Sequence, residues 1–179
     1  MPIRMSLVCH ARTRAQREGR FARDDEALEH DHEAALAMRV GELKAPRRVL
    51  CAPELRTRQT AAAWHGEAQV LDELRDCDYG AWRGHGLDEL PADALADWLS
   101  NPDSTAHGGE SQAQLCARVG AWLDGFCEEG HSVVVTHPAV LRAALQHVIG
   151  AGAQGFNTID VEPLAVLRLS FNGRWRLRL

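Results

Sequence analysis

The sequence predicts an α/β fold with a mainly parallel central sheet, because short apolar runs alternate with amphipathic helical patterns along its 179 residues. A second observation is the tight-turn dipeptide Asn172-Gly173, which lies between two strand-like segments near the end. A third is that no stretch rich in Pro, Gly or Ser divides the chain. We therefore expect one domain over residues 1–179, with helices on both faces of the sheet and an antiparallel C-terminal edge.

The individual elements follow from hydrophobic periodicity. Buried strands are predicted where a short apolar run is closed by polar residues, over Ile3–Cys9, Arg48–Ala52, Gln69–Leu71 and Ser132–Thr136. Helices are predicted where apolar residues recur every three or four positions, over His30–Leu43, Leu55–Trp64, Ala92–Leu99, Ser111–Cys127 and Pro138–Ile149. A loop is expected over Ser100–Gly109, and the terminal hairpin over Ala165–Phe171 and Arg174–Leu179.

Charge and composition limit the classes of function. The formal net charge of −5 gives no chain-wide attraction to nucleic acid or to an anionic membrane, so an anionic ligand needs a local positive site. No apolar run approaches the ~20 residues of a membrane helix, and the N-terminal segment lacks the features of a signal peptide. We expect a cytoplasmic protein that binds neither nucleic acid nor membrane.

The cysteines and the paired histidines do not indicate a metal site. The five cysteines are scattered and never spaced as Cys-x-x-Cys, which favours reduced, buried thiols over disulfides or zinc ligands. His30 and His32 are alternate residues at a predicted helix start, where they do not share a face, so an exposed helix start is favoured over a metal site. No metal or cofactor is expected.

The residues that directly follow the predicted strands carry the chemistry. In parallel sheets ligands collect at the carboxyl ends of the strands. Those ends hold His10, Arg56, Asp76 and His137. Two histidines, an arginine and an acid suit phosphoryl transfer, which needs a nucleophile, positive charge near the phosphoryl oxygens and a proton for the leaving group.

Five motifs in order resemble those of the histidine phosphatase superfamily, the phosphoglycerate mutase-like proteins, over about residues 7–145. The family's Arg-His-Gly corresponds to Cys9-His10-Ala11, and its Ser-x-x-x-Arg-Ala-x-Gln-Thr-Ala to Ala52–Ala61. Its acid-x-x-aromatic-Gly region, its Gly-Gly-Glu-Ser and its Ser-His-Gly-Gly-Val-x-Arg correspond to Asp76–Gly84, Gly108–Ser111 and Thr136–Arg142.

The resemblance implies a phosphohistidine mechanism acting on a small phosphorylated metabolite. In that mechanism His10 attacks phosphorus in line, Asp76 protonates the departing oxygen, and water then releases phosphate. His137 and Arg56 bind the phosphoryl oxygens. No cofactor or metal is implied.

Three residues depart from the family pattern. Cys9 stands where the family has an arginine that binds phosphate, and losing such a donor typically costs about 10²- to 10³-fold in rate. Ala11 replaces a glycine, which matters if the position requires a positive φ. Asp76 stands where the family has a glutamate and is one methylene shorter, so its carboxyl group could fall short of the leaving oxygen.

The arginines after His10 have two interpretations. Five of them crowd this segment, and either Arg12 or Arg14 contacts phosphate, or the whole set is a solvated face balanced by Asp24, Asp25 and Glu26. Arg142 is either a substrate contact or a surface charge. Cys9 itself has a second interpretation, as a thiolate nucleophile, although the phosphate-cradling loop of cysteine phosphatases is missing.

Three functions remain open from the sequence. The first is a phosphomonoesterase. The second is a degenerate family member that binds a phosphorylated ligand or a partner protein without turnover, which Cys9 favours. A mutase ranks last, because the connection from Gly84 to Gly108 is too short for a large covering insert.

Overall fold

Helices and strands alternate along the chain in the predicted order. The computed structural model describes residues 2–43, 46–64 and 67–179. Within these ranges the strands are β1 (Ile3–Cys9), β2 (Arg48–Cys51), β3 (Gln69–Val70), β4 (Gly130–Thr136), β5 (Val166–Phe171) and β6 (Trp175–Arg178). The helices are α1 (Arg14–Arg17), α2 (Glu33–Glu42), α3 (Leu55–Ala61), α4 (Ala92–Ser100), α5 (Gln112–Gly125) and α6 (Pro138–Ile149). Short 3-10 turns lie at Asp72–Leu74, Gly80–Trp82, Leu87–Glu89 and Ala153–Thr158.

The strands of the described residues form one sheet in the order β3-β2-β4-β1-β5-β6. β1 runs parallel to β4, with Leu7 beside Val134, and β2 runs parallel to both β4 and β3. β5 runs antiparallel to β1, and β6 antiparallel to β5. The mainly parallel sheet and its antiparallel C-terminal edge are therefore confirmed.

Alternate residues of β1 enter two separate cores, one on each face of the sheet. Leu7 and Cys9 pack with Leu115 of α5 and Val140 of α6, whereas Val8 packs on the opposite face with residues of α2 and α3. Both faces are covered because the strands are apolar on both sides, as expected for parallel strands between helices. The predicted α/β layering is confirmed.

The main differences from the predicted elements are at helix ends. α2 begins at Glu33 rather than His30, because the His32 ring bonds to the Glu29 carbonyl at the turn before the helix. The short helix α1 was not predicted. It follows a capping box in which the hydroxyl of Thr13 accepts from the backbone of Gln16 and the side chain of Gln16 accepts in return.

The helices of the described residues are too short or too polar to cross a membrane. The longest of them, α5, has 14 residues. A membrane-spanning helix needs roughly 20.

Candidate active site

Two histidine rings face each other at the carboxyl edge of the sheet. His10 follows β1 and His137 follows β4, and the two strands are parallel neighbours, so their ends lie side by side. The ring centroids are 5.4 Å apart, in an edge-to-face arrangement. Both residues are buried. The sheet topology therefore brings together the two histidines that the sequence analysis singled out.

The surroundings of His10 leave one ring nitrogen unprotonated. Nδ1 lies 2.8 Å from the carbonyl oxygen of Ala11, and since a carbonyl only accepts, Nδ1 carries the hydrogen and Nε2 carries the lone pair. Burial, reinforced by the charges of His137 and Arg56, lowers the pKa of His10 to about 3. The ring is neutral at physiological pH, which is the form a nucleophile requires.

Arg56 is held inside the site by its position in the first turn of α3. The hydroxyl of Thr57 donates to the carbonyl of Ala52 at 2.8 Å and so closes the turn from β2 into the helix. This turn directs the Arg56 guanidinium inward, where Nη1 donates to the Arg23 carbonyl at 2.8 Å and Nη2 to Asp76 Oδ2 at 2.7 Å. Arg56 is only 1% exposed, so its charge acts on the buried site.

One oxygen of Asp76 lies between Arg56 and His137. Oδ2 lies 2.7 Å from Nη2 of Arg56 and 3.4 Å from Nδ1 of His137. Burial alone raises the pKa of Asp76, but the charges of His137 and Arg56 outweigh it, and the net pKa is lowered. The shorter aspartate therefore reaches both groups that the sequence analysis assigned to phosphate binding.

A buried carboxylate that the sequence analysis did not assign, Glu54, supports this arrangement. Its Oε2 lies 2.8 Å from Nε2 of His137, and its Oε1 accepts from the backbone N–H of Asp76 at 2.9 Å. Burial opposes ionisation, yet the hydrogen bond and charge of His137 lower the pKa of Glu54 to about 2. Glu54 thus orients His137 and fixes the backbone of Asp76 at the same time.

Arg118 on α5 supports the segment that carries Asp76. Its guanidinium forms a bidentate pair with Glu110, with N–O distances of 2.8 and 2.7 Å. The remaining donors reach the carbonyl oxygens of Glu73 at 2.7 Å and Arg75 at 3.2 Å. Arg118 therefore holds the backbone that leads into the acid, in addition to the bond from Glu54.

Cys9 is not a reactive thiol. It is fully buried in the core under α5 and α6, and burial together with the nearby charge of Asp76 raises its pKa to about 12. The thiol is therefore protonated, which argues against the interpretation of Cys9 as a nucleophile. The neighbouring Ala11 needs no glycine, since Leu164 is the only non-glycine residue with a positive φ among the described residues.

A comparison with models of known protein families identifies the family to which this chain belongs. The model for branch 1 of the histidine phosphatase superfamily matches residues 5–179. The chain belongs to the histidine phosphatase superfamily. This confirms the resemblance carried by the five motifs and extends it to the C-terminal hairpin.

Solved structures of two phosphatases and of a phosphoglycerate mutase share the fold over nearly the whole chain. A phosphoserine phosphatase mutant from Entamoeba histolytica, in complex with phosphoserine, superposes with a TM-score of 0.88 at 18% identity, covering 98% of this chain and 94% of that one. A mycobacterial glucosyl-3-phosphoglycerate phosphatase has a TM-score of 0.82 at 21% identity, covering 98% and 97%. A phosphoglycerate mutase from Thermus thermophilus has a TM-score of 0.77 at 26% identity, covering 98% and 96%. No individually curated protein matches the sequence at a significant level.

The two other predicted phosphate contacts of this superfamily member, Arg12 and Arg14, differ in their surroundings. Arg12 is exposed, lines a large cavity and has no carboxylate partner among the described residues. Arg14 lies on α1 and pairs with Glu18 at 2.6 Å. Arg17 and Arg20 also pair with glutamates, at 3.2 and 2.8 Å. Three of the five arginines thus form a balanced face with glutamates, whereas Arg12 and Arg23 have no ion pair among the described residues.

Residues of the candidate site also line a cavity of about 470 Å³, whose wall includes Glu54, Arg56 and Asp76. Within the described ranges, no group of three or more His, Cys, Asp or Glu side chains is arranged to hold a metal ion. His30 and His32 lie in the turn before α2 rather than on the helix.

Proposed function

We propose that this protein is a phosphomonoester hydrolase that acts through a phosphohistidine at His10. The observation that carries the proposal is the state of the His10 ring, which is neutral, with Nδ1–H bonded to the Ala11 carbonyl and the Nε2 lone pair free. Such a ring is activated without a separate base. His137 faces it at 5.4 Å, so a phosphoryl group between the rings has a nucleophile and a hydrogen-bond donor within reach.

A bound phosphoryl group would replace the contact between Asp76 and Arg56. In the free site Asp76 Oδ2 accepts a hydrogen bond from Arg56 Nη2 at 2.7 Å and lies 3.4 Å from His137 Nδ1, which has no hydrogen-bond partner among the described residues. A phosphoryl oxygen that takes this place lies beside both nitrogens, gives the buried His137 Nδ1 a partner and turns the Asp76 carboxyl toward the ester oxygen. Arg12, which has no carboxylate partner among the described residues, is the proposed additional phosphate contact, whereas Arg14 is left with Glu18.

The same exchange explains how an acid with a lowered pKa becomes a proton donor. The pKa of Asp76 is low because His137 and Arg56 stabilise the carboxylate. An incoming phosphoryl dianion takes over these two partners and adds its own negative charge, and both effects favour the protonated acid. Asp76 therefore gains its proton when substrate binds.

The two chemical steps balance on these residues. In the first, Nε2 of His10 forms a bond to phosphorus while the ester P–O bond breaks, and the departing oxygen takes the proton of Asp76. In the second, the Asp76 carboxylate accepts a proton from a water molecule whose oxygen attacks phosphorus. The N–P bond breaks, and phosphate and neutral His10 are restored.

A second candidate is a family member that binds a phosphorylated ligand without turnover. Cys9 favours it, because a buried, protonated thiol cannot replace an arginine at phosphate. The two functions differ in phosphate release from a panel of phosphomonoesters. We expect release by the wild type to fall about 10³- to 10⁶-fold in His10→Ala and to be unchanged in His147→Ala, an exposed histidine in the last turn of α6. Equal release by wild type and His10→Ala would exclude the enzymatic function.

A further inference from the structure

A large cavity is lined by residues from the three chain segments that carry His10, Asp76 and His137. Its volume is about 610 Å³, within the range of small-molecule sites. Arg12, Tyr79 and Arg142 line it. These residues follow His10 by two positions, Asp76 by three and His137 by five, so each segment that carries a proposed catalytic group continues into the cavity wall.

One wall of the cavity is aromatic and apolar. Phe21, Tyr79 and Trp98 line it, with the Phe21 centroid 4.6 Å from that of Tyr79 and 5.8 Å from that of Trp98. Leu87 and Leu99 extend this wall although they are 47% and 51% exposed. Grouped, exposed apolar side chains beside a ring cluster are typical of a ligand surface.

The cavity lining is also mainly cationic, with four arginines and one carboxylate, Glu162. The Arg142 side chain is held by a bond from Nε to the Ile159 carbonyl at 2.6 Å, and neither Arg142 nor Arg12 has a carboxylate partner among the described residues. Arg17 and Arg20 also line the cavity but are already paired with Glu29 and Glu18. Arg12 and Arg142, on the segments next to the two histidines, are therefore the lining arginines without an ion pair among the described residues, and the Arg142 guanidinium lies 5.7 Å from the Phe156 ring centroid.

We propose that this cavity binds the leaving group of the substrate, and that the leaving group carries an aromatic or heteroaromatic ring. The inference rests on the proposed phosphatase function and names its substrate class. A flat ring gains apolar burial against Phe21, Trp98 and the leucines, and it presents a π face to a guanidinium. A three-carbon acid would fill only a small part of this volume and would leave the apolar wall in water.

A pair of substrates with similar leaving-group chemistry tests the proposal. Ethyl phosphate and 2-(1-naphthyl)ethyl phosphate are both primary alkyl esters, so a difference in kcat/KM reports binding of the ring rather than leaving-group acidity. We expect kcat/KM to be about 100-fold higher for the naphthyl ester. Equal values for the two esters would overturn the subsite and leave the phosphatase function intact.

Variants on the exposed part of the wall locate the effect. In Leu87→Ser/Leu99→Ser both replaced side chains are about half exposed, so the fold tolerates them. We expect about a 10-fold loss of kcat/KM for the naphthyl ester and no change for ethyl phosphate. Met38→Ser, an exposed residue on α2 that is not among the residues lining this cavity, is the matched control and changes neither value. Equal losses for both esters in the double variant would contradict the proposal.

Direct binding separates failure of the subsite from failure of the enzymatic function. If neither ester is hydrolysed, the phosphatase proposal fails. Calorimetric measurement of the affinity for the same two esters then tests the cavity as a binding site. Tighter binding of the naphthyl ester, weakened about 10-fold by Leu87→Ser/Leu99→Ser, supports the subsite. Equal affinity of both esters, or no effect of the double variant, overturns it.

Discussion

The Glu54 carboxylate lies 2.8 Å from Nε2 of His137 and leaves Nδ1 as the nitrogen that faces the reaction centre. The other Glu54 oxygen accepts from the backbone of Asp76. One buried side chain therefore orients both the proposed phosphate-binding histidine and the proposed acid.

Removal of Glu54 is expected to destabilise the fold strongly. Glu54→Ala leaves the His137 Nε2–H and the Asp76 N–H buried without an acceptor, and breaking such a buried pair costs about 3–5 kcal/mol of unfolding free energy. Glu54→Gln keeps the shape and one acceptor, so about 1–3 kcal/mol is expected. Denaturant unfolding measures both, with the exposed Glu73→Ala as control, expected within about 0.5 kcal/mol of wild type. A Glu54→Ala protein as stable as the control would contradict the assigned contacts.

Replacement of Asp76 is expected to separate binding from turnover. Asp76 Oδ2 occupies the position between Arg56 and His137 that a phosphoryl oxygen would take. Asp76→Ala therefore binds inorganic phosphate more tightly than the wild type, while turnover falls about 10²- to 10⁴-fold with the loss of the acid.

Calorimetry with phosphate and a phosphate-release assay measure these two effects. Asp72→Ala is the matched control. Asp72 lines the 470 Å³ cavity together with Asp76, but its side chain is largely exposed and pairs with Arg75. Weaker phosphate binding by Asp76→Ala would show that the carboxylate does not compete with the ligand.

The buried His10 ring predicts a specific loss of stability in acid. Its pKa is lowered from 6.5 to about 3 in the folded protein, so between these values the unfolded chain binds a proton that the folded chain does not. Stability contributed by the neutral ring is therefore lost as pH falls below about 6.5. Between about pH 7 and about pH 4.5 the wild type should lose about 2–3 kcal/mol more than His10→Gln, which cannot titrate. If the unfolding free energies of the two proteins changed with pH in the same way, the His10 ring would be protonated in the folded protein and the prediction would be wrong.

Cys9 is expected to be chemically silent. Its thiol is buried and its pKa is raised to about 12, whereas Cys127 is exposed. Iodoacetamide at neutral pH should modify Cys127 and leave Cys9 intact, as mass spectrometry of the peptides would show. Cys9→Ala should cost about 1 kcal/mol of stability and leave turnover within about threefold of wild type. A loss of 100-fold or more would restore a catalytic role for the thiol.

Much of the fold could be predicted from local patterns in the sequence. β1 and α6 have the predicted bounds, because an apolar run closed by His10 and a helix opened by Pro138 are strong local signals. The hairpin turn also lies where predicted, with Gly173 at φ 73°. The four-residue helix α1 has no apolar periodicity to detect, and only the spacing of Thr13 and Gln16 indicated its cap.

The site was predictable only where residues follow strand ends. His10 and His137 were found because parallel strands end at one edge, and the sheet brings them together as expected. Glu54 was missed because its partner His137 lies 83 residues away in the sequence and the residue type alone does not distinguish it from a surface acid. One usable signal was its position, since an acid directly after a strand end and before a helix lies at the same edge as His137.

The central claim is that His10 accepts the phosphoryl group. Rapid acid-free quenching of the full chain with ³²P-labelled p-nitrophenyl phosphate, followed by peptide mapping, measures this directly. A phosphohistidine is stable in alkali and labile in acid, and we predict such a label on the peptide that contains His10 and none in His10→Ala. Phosphate release at the wild-type rate by His10→Ala, or a label on another residue, would contradict the account.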